Sequence, residues 1–472
     1  MSSKLAKIAR KEAAIKEFNY IVINYILPLL PVQGDLMFID EPTEENDLKN
    51  YLIKRDQEGK EYLYIYPALS NPQFSYKIEL LDKEPQLGAA DIILKELMMA
   101  SKYDYRNDKF SCIPYYERFD HVYQNNRFDL AFEIGLCMWL GGKSVFQLLH
   151  KLKEWSKKTY EGRHVPFSFI IDTSDEIKGQ CNYIRFLDSN HSAVFTDGFS
   201  SGIRLDIKGQ VVNYFSTASN NPVVMPDKMT LVPYRFQEFA NLCVSESEKE
   251  NLVGIVAQAN GDILIFKNRN LCFANRNGYW KQINSYRIYT IISQQYYDKE
   301  DMASQVLFGK EVYSSLLDVS FSHAGGCLAI IDPNYVETVK KEYIFKDDLS
   351  VEDDPDDEND ESKRIIKEKK SIIKKLILSG KDYLLFQNLD RKLRSDLLSL
   401  DGATVIDSVG RILGAGAIVK ITGGSDGGGR SAATKQLAEY GMAIKISMDG
   451  RIEGYRRTDL ENPSIEKVFT LF

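Results

Sequence analysis

Glycine residues crowd one stretch of the chain, and an arginine ends it. Residues 423–429 read Gly-Gly-Ser-Asp-Gly-Gly-Gly and are followed by Arg430 and Ser431. The alanine-rich segment that comes next predicts a helix for which Ser431 is a suitable N-cap. Glycines let a ligand approach the main chain, the first N–H groups of a helix have no internal partner, and a guanidinium grips phosphate oxygens with two hydrogen bonds. The stretch indicates an anion site, and the alternative is a flexible surface loop ahead of an ordinary helix.

A carboxylate lies upstream of this stretch, where Asp401 is followed by Gly402 and Ala403. The elements that would position these residues are two predicted hairpins with the glycine loop and helix between them. Residues 403–407 and 412–421 are β-rich runs around a short turn, and residues 442–448 meet 451–455 through an Asp-Gly pair that is typical of tight hairpins. The predicted order is strand, turn, strand, glycine loop, helix, strand, turn, strand.

This order of motifs resembles the diadenylate cyclase (DAC) domain family. The resemblance rests on Asp-Gly-Ala at 401–403, the small-residue run GAGAIV at 414–419, the glycine/arginine turn before Ala-Ala at 432–433, and a strand that ends in Ser447. It extends upstream to a helix and strand at 315–332 and a helix at 389–400, so that it covers roughly residues 300–457. It implies a mixed sheet flanked by helices that condenses two ATP molecules into cyclic di-AMP where two domains face each other.

The resemblance also implies roles for particular residues. Asp401 would hold Mg²⁺ or Mn²⁺ or assist the attacking hydroxyl, and Arg430 would act with it in catalysis. Lys435 is a further phosphate candidate, with a solvated lysine as the favoured alternative. Ser447 would contact the nucleotide. The small residues Gly402 and Ala403 would let the nucleotide pack close to the strand. The turn residues Gly427, Gly428, Gly429 and Ser431 would surround its phosphates.

The chain departs from the family in its second signature. The family has Gly-Thr-Arg-His-Arg before the two alanines, whereas this chain has Gly427-Gly428-Gly429-Arg430-Ser431. Aligned on the alanines, Arg430 takes the histidine position, and glycine and serine take the two arginine positions. The positive charge available to a triphosphate is therefore reduced. Two alternatives follow: a cyclase regulated by its N-terminal region in second-messenger signalling, or a catalytically inactive nucleotide-binding sensor module.

Composition limits the partners and the compartment. A net charge of −7 and a pI near 5.6 argue against nucleic acid as the main partner. The apolar run at 18–32 contains two prolines and is too short to span a membrane, so we expect an amphipathic helix at 2–17 and no membrane anchor. The six cysteines show neither a CxxC motif nor a zinc spacing, which predicts reduced thiols and a cytoplasmic location.

The pattern of apolar and polar residues changes along the chain and predicts an α+β protein with three regions. Residues 1–160 form a helix-rich α/β region, a sensor or regulatory candidate, and residues 161–295 form a mainly antiparallel β module in which 183–188 reads as a strand. Residues 296–472 form the DAC-like nucleotide-binding domain, which would assemble face to face in a homo-oligomer. Its acidic segment at 347–363 lacks the spacing of a calcium loop and predicts a mobile, solvated insertion.

Histidines give no metal-site pattern. His121, His164 and His191 lie apart from one another without ligand spacing. His323 follows a predicted helix and precedes two glycines, at the mouth of a predicted buried strand. A histidine that ends a helix is the favoured interpretation there, with ligand contact as the alternative.

Overall fold

A computed structural model gives the fold of the chain. It describes residues 22, 32–39, 51–55, 61–65, 75–80, 103–104, 109–110, 127–140, 143–155, 159–160, 163–174, 179, 181–188, 195, 197–216, 231–243, 252–276, 278–283, 285–349, 385–422, 428–457 and 464–471. The helix expected at 2–17 lies outside these residues. The chain groups into two compact units, 1–222 with 238–282 and 223–237 with 283–472. Both combine helices with β-strands, as the α+β expectation requires, and the three-region division remains a prediction.

The described residues of the first unit form two larger sheets and two short hairpins. Its elements are β1 (Val32–Ile39), β2 (Tyr51–Arg55), β3 (Glu61–Ile65), β4 (Ser75–Leu80), β5 (Tyr103–Asp104), β6 (Lys109–Phe110), α1 (Arg127–Leu140), α2 (Lys143–Trp155), β7 (Thr159–Tyr160), β8 (Arg163–His164), β9 (Phe167–Asp172), β10 (Cys181–Asn182), α3 (Tyr183–Asp188), β11 (Ser201–Leu205), β12 (Gln210–Ser216), α4 (Gln237–Leu242), β13 (Leu252–Ala257), β14 (Ile263–Lys267), β15 (Asn270–Arg276) and β16 (Tyr279–Gln282). The order is β1-β4-β3-β2 in one sheet and β10-β12-β11-β9-β13-β14-β15-β16 in the other. In the second, β9 and β11 are parallel and the remaining pairs are antiparallel.

One element of this unit differs from the expectation. Residues 183–188, predicted as a strand, form the helix α3. Tyr183 and Leu187 are both buried, and they lie four positions apart in the sequence. That spacing puts both side chains on one face of a helix, whereas the apolar character of the six residues alone does not distinguish a short strand from a short helix.

The second unit is built on a seven-stranded sheet. Its elements are a 3₁₀ turn (Tyr234–Phe236), α5 (Ser285–Ser293), α6 (Met302–Phe321), β17 (Gly326–Ile331), a 3₁₀ turn (Pro333–Tyr335), α7 (Val336–Thr338), a π-helical turn (Val339–Tyr343), β18 (Ile344–Lys346), a 3₁₀ turn (Phe386–Asn388), α8 (Arg391–Leu398), β19 (Ala403–Asp407), β20 (Ile412–Val419), α9 (Gly429–Ala438), β21 (Gly441–Ile446), β22 (Ile452–Arg457) and β23 (Ile465–Leu471). The strand order is β18-β20-β19-β17-β21-β22-β23. Both predicted hairpins, β19–β20 and β21–β22, are present.

The direction of the strands defines two ends of this sheet. β17 and β19 are parallel, while β21 runs antiparallel to β17. The first residues of β17 and β19 therefore lie with the last residues of β21, at what we call the Asp401 end. The last residues of β17 and β19 lie with the start of β21 and the finish of β22, at what we call the Asp332 end. The same seven strands thus present two separate sets of loops.

A β-bulge in β20 shapes the Asp401 end. Between the pairs Ala403–Ala417 and Val405–Gly414, two residues of β20 face one residue of β19. Gly416 has a φ of +59°, which a glycine adopts readily. Because of the bulge, Ala415 packs in the cluster with Leu397 of α8, while Ala417 packs in the cluster with Leu437 of α9. The bulge therefore lets one strand fill the cores on both faces of the sheet.

A buried arginine joins the helices on one face. Arg394 of α8 is 3% exposed and pairs with Glu311 of α6. Its Nε donates to Ser315 Oγ at 3.0 Å, and its Nη1 donates to the carbonyl of Leu389 at 2.6 Å. A charge taken out of water needs such a set of partners. This cluster fixes α8 immediately before the chain enters Asp401.

The acidic insertion begins later than the sequence suggests. Asp347, within the segment predicted to be solvated, is buried, and its carboxylate accepts from the N–H of Leu349 at 2.6 Å. The N–H of Asp348 donates to Ala415 at 2.8 Å. The expectation is wrong for these residues because they continue the edge of the sheet after β18. Residues 350–363 lie outside the described part of the chain.

No helix among the described residues is both long enough and apolar enough to cross a membrane.

We expect Arg394→Met to lower the free energy of unfolding by roughly 3–5 kcal/mol at neutral pH, because it leaves the Glu311 carboxylate buried without its partner. Burial already raises the pKa of Glu311. A carboxyl whose folded pKa is raised destabilises the fold as pH rises through that pKa, so the loss should shrink as pH falls from neutral through the raised pKa of Glu311 and the carboxyl becomes protonated. Urea unfolding measures both effects. Lys392→Met, which changes an exposed residue of α8, is the control; an equal loss in the control would contradict the interpretation.

Candidate functional site

Four segments of the second unit meet at the Asp401 end. Gly326, the first residue of β17, pairs with Ile446, the last residue of β21. Asp401 comes directly before the parallel strand β19. The guanidinium of Arg430, in the first turn of α9, reaches the residue before β17: a Cβ built on Gly325 would lie 2.3 Å from Arg430 Nη1. Sequence positions about a hundred residues apart are therefore neighbours here.

The two charged residues singled out by the sequence lie together. Nη2 of Arg430 is 3.8 Å from Oδ1 of Asp401. The Asp401 side chain is fully exposed, and the Arg430 side chain is 35% exposed. The Nε of Arg430 is buried, and it has no hydrogen-bond partner among the described residues. The inner part of the Arg430 side chain is thus buried, while the end of its guanidinium group is accessible to solvent. Such an arginine can bind a ligand that comes from solvent.

The start of α9 supplies main-chain donors to the same place. Gly428 precedes the helix with a φ of +87° and gives it no side-chain cap. The first helical hydrogen bond runs from the N–H of Ala432 to the carbonyl of Gly428 at 3.1 Å. The N–H groups of Gly429, Arg430 and Ser431 thus precede the first intrahelical donor. The prediction of Ser431 as the N-cap is wrong, because positive φ at Gly428 starts the helix earlier and puts Ser431 in its third position.

Side-chain contacts fix the first turn of α9 onto the sheet. Thr434 is buried, and its hydroxyl donates to the carbonyl of Arg430 at 2.8 Å. The same hydroxyl lies 3.3 Å from Sγ of Cys327 on β17. Burial raises the pKa of the Cys327 thiol to about 11, so it remains protonated at neutral pH. The Arg430 backbone is therefore positioned by the sheet itself.

Packing accounts for Gly402 without a ligand. Its φ is +103°, and a Cβ there would come within 2.6 Å of the Gly416 carbonyl carbon. A side chain at this position would collide with the bulge of β20. Ala403 is fully buried in the core, so any contact that it makes with a ligand is through its backbone. These two residues hold Asp401 at the mouth of the sheet.

Ser447 lies at the same end, in the turn after β21. Its N–H donates to the carbonyl of Arg451 at 2.8 Å, and its own carbonyl accepts from the N–H of Gly450 at 2.8 Å. Ser320 of α6 donates to the carbonyl of Gly450 and anchors the turn. Met448, next to Ser447, is 68% exposed and comes near Gly325. The turn therefore supplies a polar residue and an apolar one to the rim.

Other predicted residues contribute less or lie elsewhere. Lys435 is exposed further along α9, as a solvated lysine would be. His323 follows α6 with a φ of +54°, and the adjoining N–H groups of residues 323 and 324 bond back to the last turn, which is the expected helix-ending arrangement. Gly427 lies outside the described residues.

Sequence reasoning missed two residues of this site. Gly325 makes room for the Arg430 guanidinium, and its only signal is a Gly-Gly pair ahead of a buried strand. Asp348 is the second. A Cβ built on Gly416 would lie 3.0 Å from Oδ2 of Asp348 and 3.2 Å from the main-chain oxygen of Asp401, so both residues approach Gly416. Its place at the start of a long acidic run concealed it. Both come from segments distant in sequence from Asp401.

The side chains near Asp401 determine how a divalent cation could bind at this end of the sheet. The described residues contain no group of three or more histidine, cysteine or carboxylate side chains that could hold a metal ion. Mg²⁺ bound with a nucleotide commonly uses one or two protein carboxylates together with phosphate oxygens. Asp401, exposed at the mouth, fits that mode. The arrangement suits a cation that arrives with its nucleotide.

No family model matches the chain, and no curated protein matches it.

We expect Asp401→Asn to leave the urea midpoint of unfolding unchanged. An exposed ion pair contributes little to stability, so the proximity of Asp401 and Arg430 is not needed to hold the fold. Arg430→Gln serves as the matched variant, because it removes the charge of the other partner. A clear fall of the midpoint in Asp401→Asn would show that the pair has a structural purpose.

Proposed function

We propose that the second unit binds ATP at the Asp401 end of its sheet and condenses two ATP molecules into cyclic di-AMP. The observation that carries this proposal is the 3.8 Å approach of Asp401 and Arg430 beside the uncapped start of α9. A carboxylate, a guanidinium and helix N–H groups at one mouth are the functional groups that a metal-bound triphosphate requires. The resemblance of the motif order to the DAC family supports this choice of reaction.

The residues have separate tasks in this reaction. Arg430 and the N–H groups of Gly429 and Ser431 would bind phosphate oxygens and stabilise the departing pyrophosphate. Asp401 would hold the cation or accept hydrogen bonding from the attacking 3′-hydroxyl. When bound, Mg²⁺ or Mn²⁺ would offset the negative charge that develops at phosphorus. Ser447 would orient the nucleotide from the turn after β21.

The proposed reaction uses two copies of the domain. The reaction joins the 3′-oxygen of each ATP to the α-phosphorus of the other, with loss of two pyrophosphates. In this proposal Asp401 and Arg430 of one copy serve one triphosphate. A face-to-face homo-oligomer brings the second, and placement of the reacting atoms in line supplies much of the acceleration. A cytoplasmic location, where ATP is available, belongs to the same proposal.

A sensor without turnover is the second candidate, and one observation favours it. Next to Arg430, the half-buried residue in the first turn of α9 is Ser431, where the family has arginine. A hydroxyl donates one hydrogen bond and carries no charge. The pyrophosphate would leave with less stabilisation, while ATP binding would need only the groups already present. In this candidate the first unit and the nucleotide-bound second unit form a signalling module.

Incubation of the full chain with ATP and Mg²⁺ or Mn²⁺ distinguishes the two candidates. We expect cyclic di-AMP to form, and Asp401→Asn to lower its rate by roughly 10²-fold, because a group at the reacting centre is lost. Product is measured by chromatography, and ATP binding by calorimetry. Saturable binding without product would establish the sensor. Neither binding nor product would refute both candidates.

The space beside Arg430 offers a more selective test. Gly325→Ala places a methyl group where the guanidinium now lies, so it displaces the charge without removing it. The displaced atoms are the end of a flexible side chain, and the fold should therefore tolerate the change. We expect ATP affinity to fall about as much as in Arg430→Ala, and the double variant to lose no more than either single one. Additive losses would show that Arg430 does not bind the nucleotide from this position.

A further inference from the structure

A cleft of about 340 Å³ lies at the Asp332 end of the same sheet. It is formed where four strands of the second unit start or finish. Its lining includes Ser408 after β19, Tyr440 before β21, and Arg456 and Arg457 at the finish of β22, together with Tyr335. The six residues of β17 separate it from the Asp401 end by roughly 20 Å. It is therefore a different place from the site already described.

Main-chain hydrogen bonds hold the walls of this cleft. The N–H of Tyr297 donates to the carbonyl of Ser408 at 3.0 Å and fixes the segment that follows α5 to the end of β19. The N–H of Asp332 donates to the carbonyl of Tyr440 at 2.9 Å and joins the end of β17 to the segment before β21. Because both bonds lie within the framework of the sheet, the cleft is formed before any ligand arrives.

Several charged groups of the lining already have partners. The ammonium of Lys299 donates to the carbonyls of Gln294 and, at 2.6 Å, Tyr296. The carboxylate of Asp332 accepts from the N–H of Asn334 at 2.9 Å and starts the 3₁₀ turn. Glu439 accepts from the side chain of Gln436 at 3.1 Å. These residues support the walls of the cleft.

Arg456 and Ser408 remain available for a ligand. Arg456 is exposed at the rim, and within the described part of the chain it has no ion pair. Ser408 is 4% exposed, and its hydroxyl is buried with no hydrogen-bond partner among the described residues. A buried hydroxyl without a partner carries a free-energy cost, which a ligand would relieve. The charge that Arg456 offers is positive.

Aromatic side chains form the other part of the lining. The rings of Tyr335 and Tyr440 lie 5.6 Å apart at an angle of 66°. Such an edge-to-face pair offers a ring surface against which a flat group can pack. The volume is near the lower limit of roughly 300–1,000 Å³ that is usual for small-molecule sites. One ring and one charged group fill such a space.

We propose that this cleft is a second ligand site, which binds a small organic anion made of a planar ring and a single phosphate, the class of a nucleoside monophosphate. The guanidinium of Arg456 binds the phosphate. The tyrosines contact the ring, and the hydroxyl of Ser408 donates to or accepts from a polar atom of the ligand. This assignment does not depend on cyclase activity at the other end of the sheet.

Calorimetric titration of the full chain with AMP tests the assignment. We expect Arg456→Ala to weaken AMP binding by at least about tenfold, because charge-assisted hydrogen bonds to phosphate are lost. Ser408→Ala, which keeps the shape of the cleft, should weaken it about three- to tenfold. Arg451→Ala is the matched control, because Arg451 is an exposed arginine at the opposite end of the same strand. It should leave the affinity unchanged.

A variant at the Asp401 end distinguishes AMP binding at the cleft from AMP binding at the first site. Arg430→Ala should retain AMP binding at the cleft. The proposal is overturned if wild-type protein does not bind AMP, if Arg430→Ala abolishes binding, or if Arg451→Ala weakens it as much as Arg456→Ala. Should Arg456→Ala not fold, Ser408→Ala decides, and an unchanged affinity in that variant contradicts the proposal. Failure of ATP turnover in the same preparation leaves these outcomes unaffected.

Discussion

Parallel pairing of β17 with β19 is the constraint on which the second unit depends. Two adjacent parallel strands begin at the same end of a sheet, so the residues ahead of them, Gly325 and Asp401, must be neighbours there. Their last residues lead to Asp332 and Ser408 at the other end. An antiparallel neighbour would have separated each of these pairs. The hydrophobic residues of β17, buried on both faces, hold this register because slippage by one residue would exchange the faces.

Close approach of backbone to backbone is the second constraint, and glycine meets it. Gly402 and Gly416 pass each other at a distance that leaves no space for a Cβ at Gly402. The bulge at Gly416 then turns alternate alanines to opposite cores, so that α8 and α9 can both pack on the same sheet. Small residues in GAGAIV are thus explained first by packing. The exposed carboxylate of Asp401 is positioned as a consequence.

Local signals in the sequence predicted much of this unit. The two hairpins, the helix after the glycine loop and α8 ahead of Asp401 all follow from turn residues and apolar spacing over short distances. Local signals failed where tertiary contacts decide. The start of α9 depends on positive φ at Gly428, and Asp347 is buried because β18 continues along the sheet. In the first unit, α3 is too short for periodicity to distinguish it from a strand.

In the candidate site, too, local signals predicted some residues and tertiary contacts decided others. Asp401 and Arg430 stand out by residue type, and their approach follows from the predicted order of strands and helix. Gly325 becomes part of the site only through the pairing of β17 with its neighbours β19 and β21. The cleft at the Asp332 end gave no signal, because its lining comes from five separate segments that carry no shared motif. Residue types reveal chemistry within one segment, whereas a cleft is a property of the assembled sheet.

The helix α9 has a mechanical consequence. It holds Arg430 in its first turn, and Tyr440 follows its last, so this one rod of about 15 Å connects the two ends of the sheet. A rigid rod transmits an axial displacement along its whole length. If ligands occupy both ends, any shift that one of them imposes on α9 alters the affinity for the other by a factor that is equal in both directions. Cooperativity between the ends would thus need no hinge and no movement of one unit against the other.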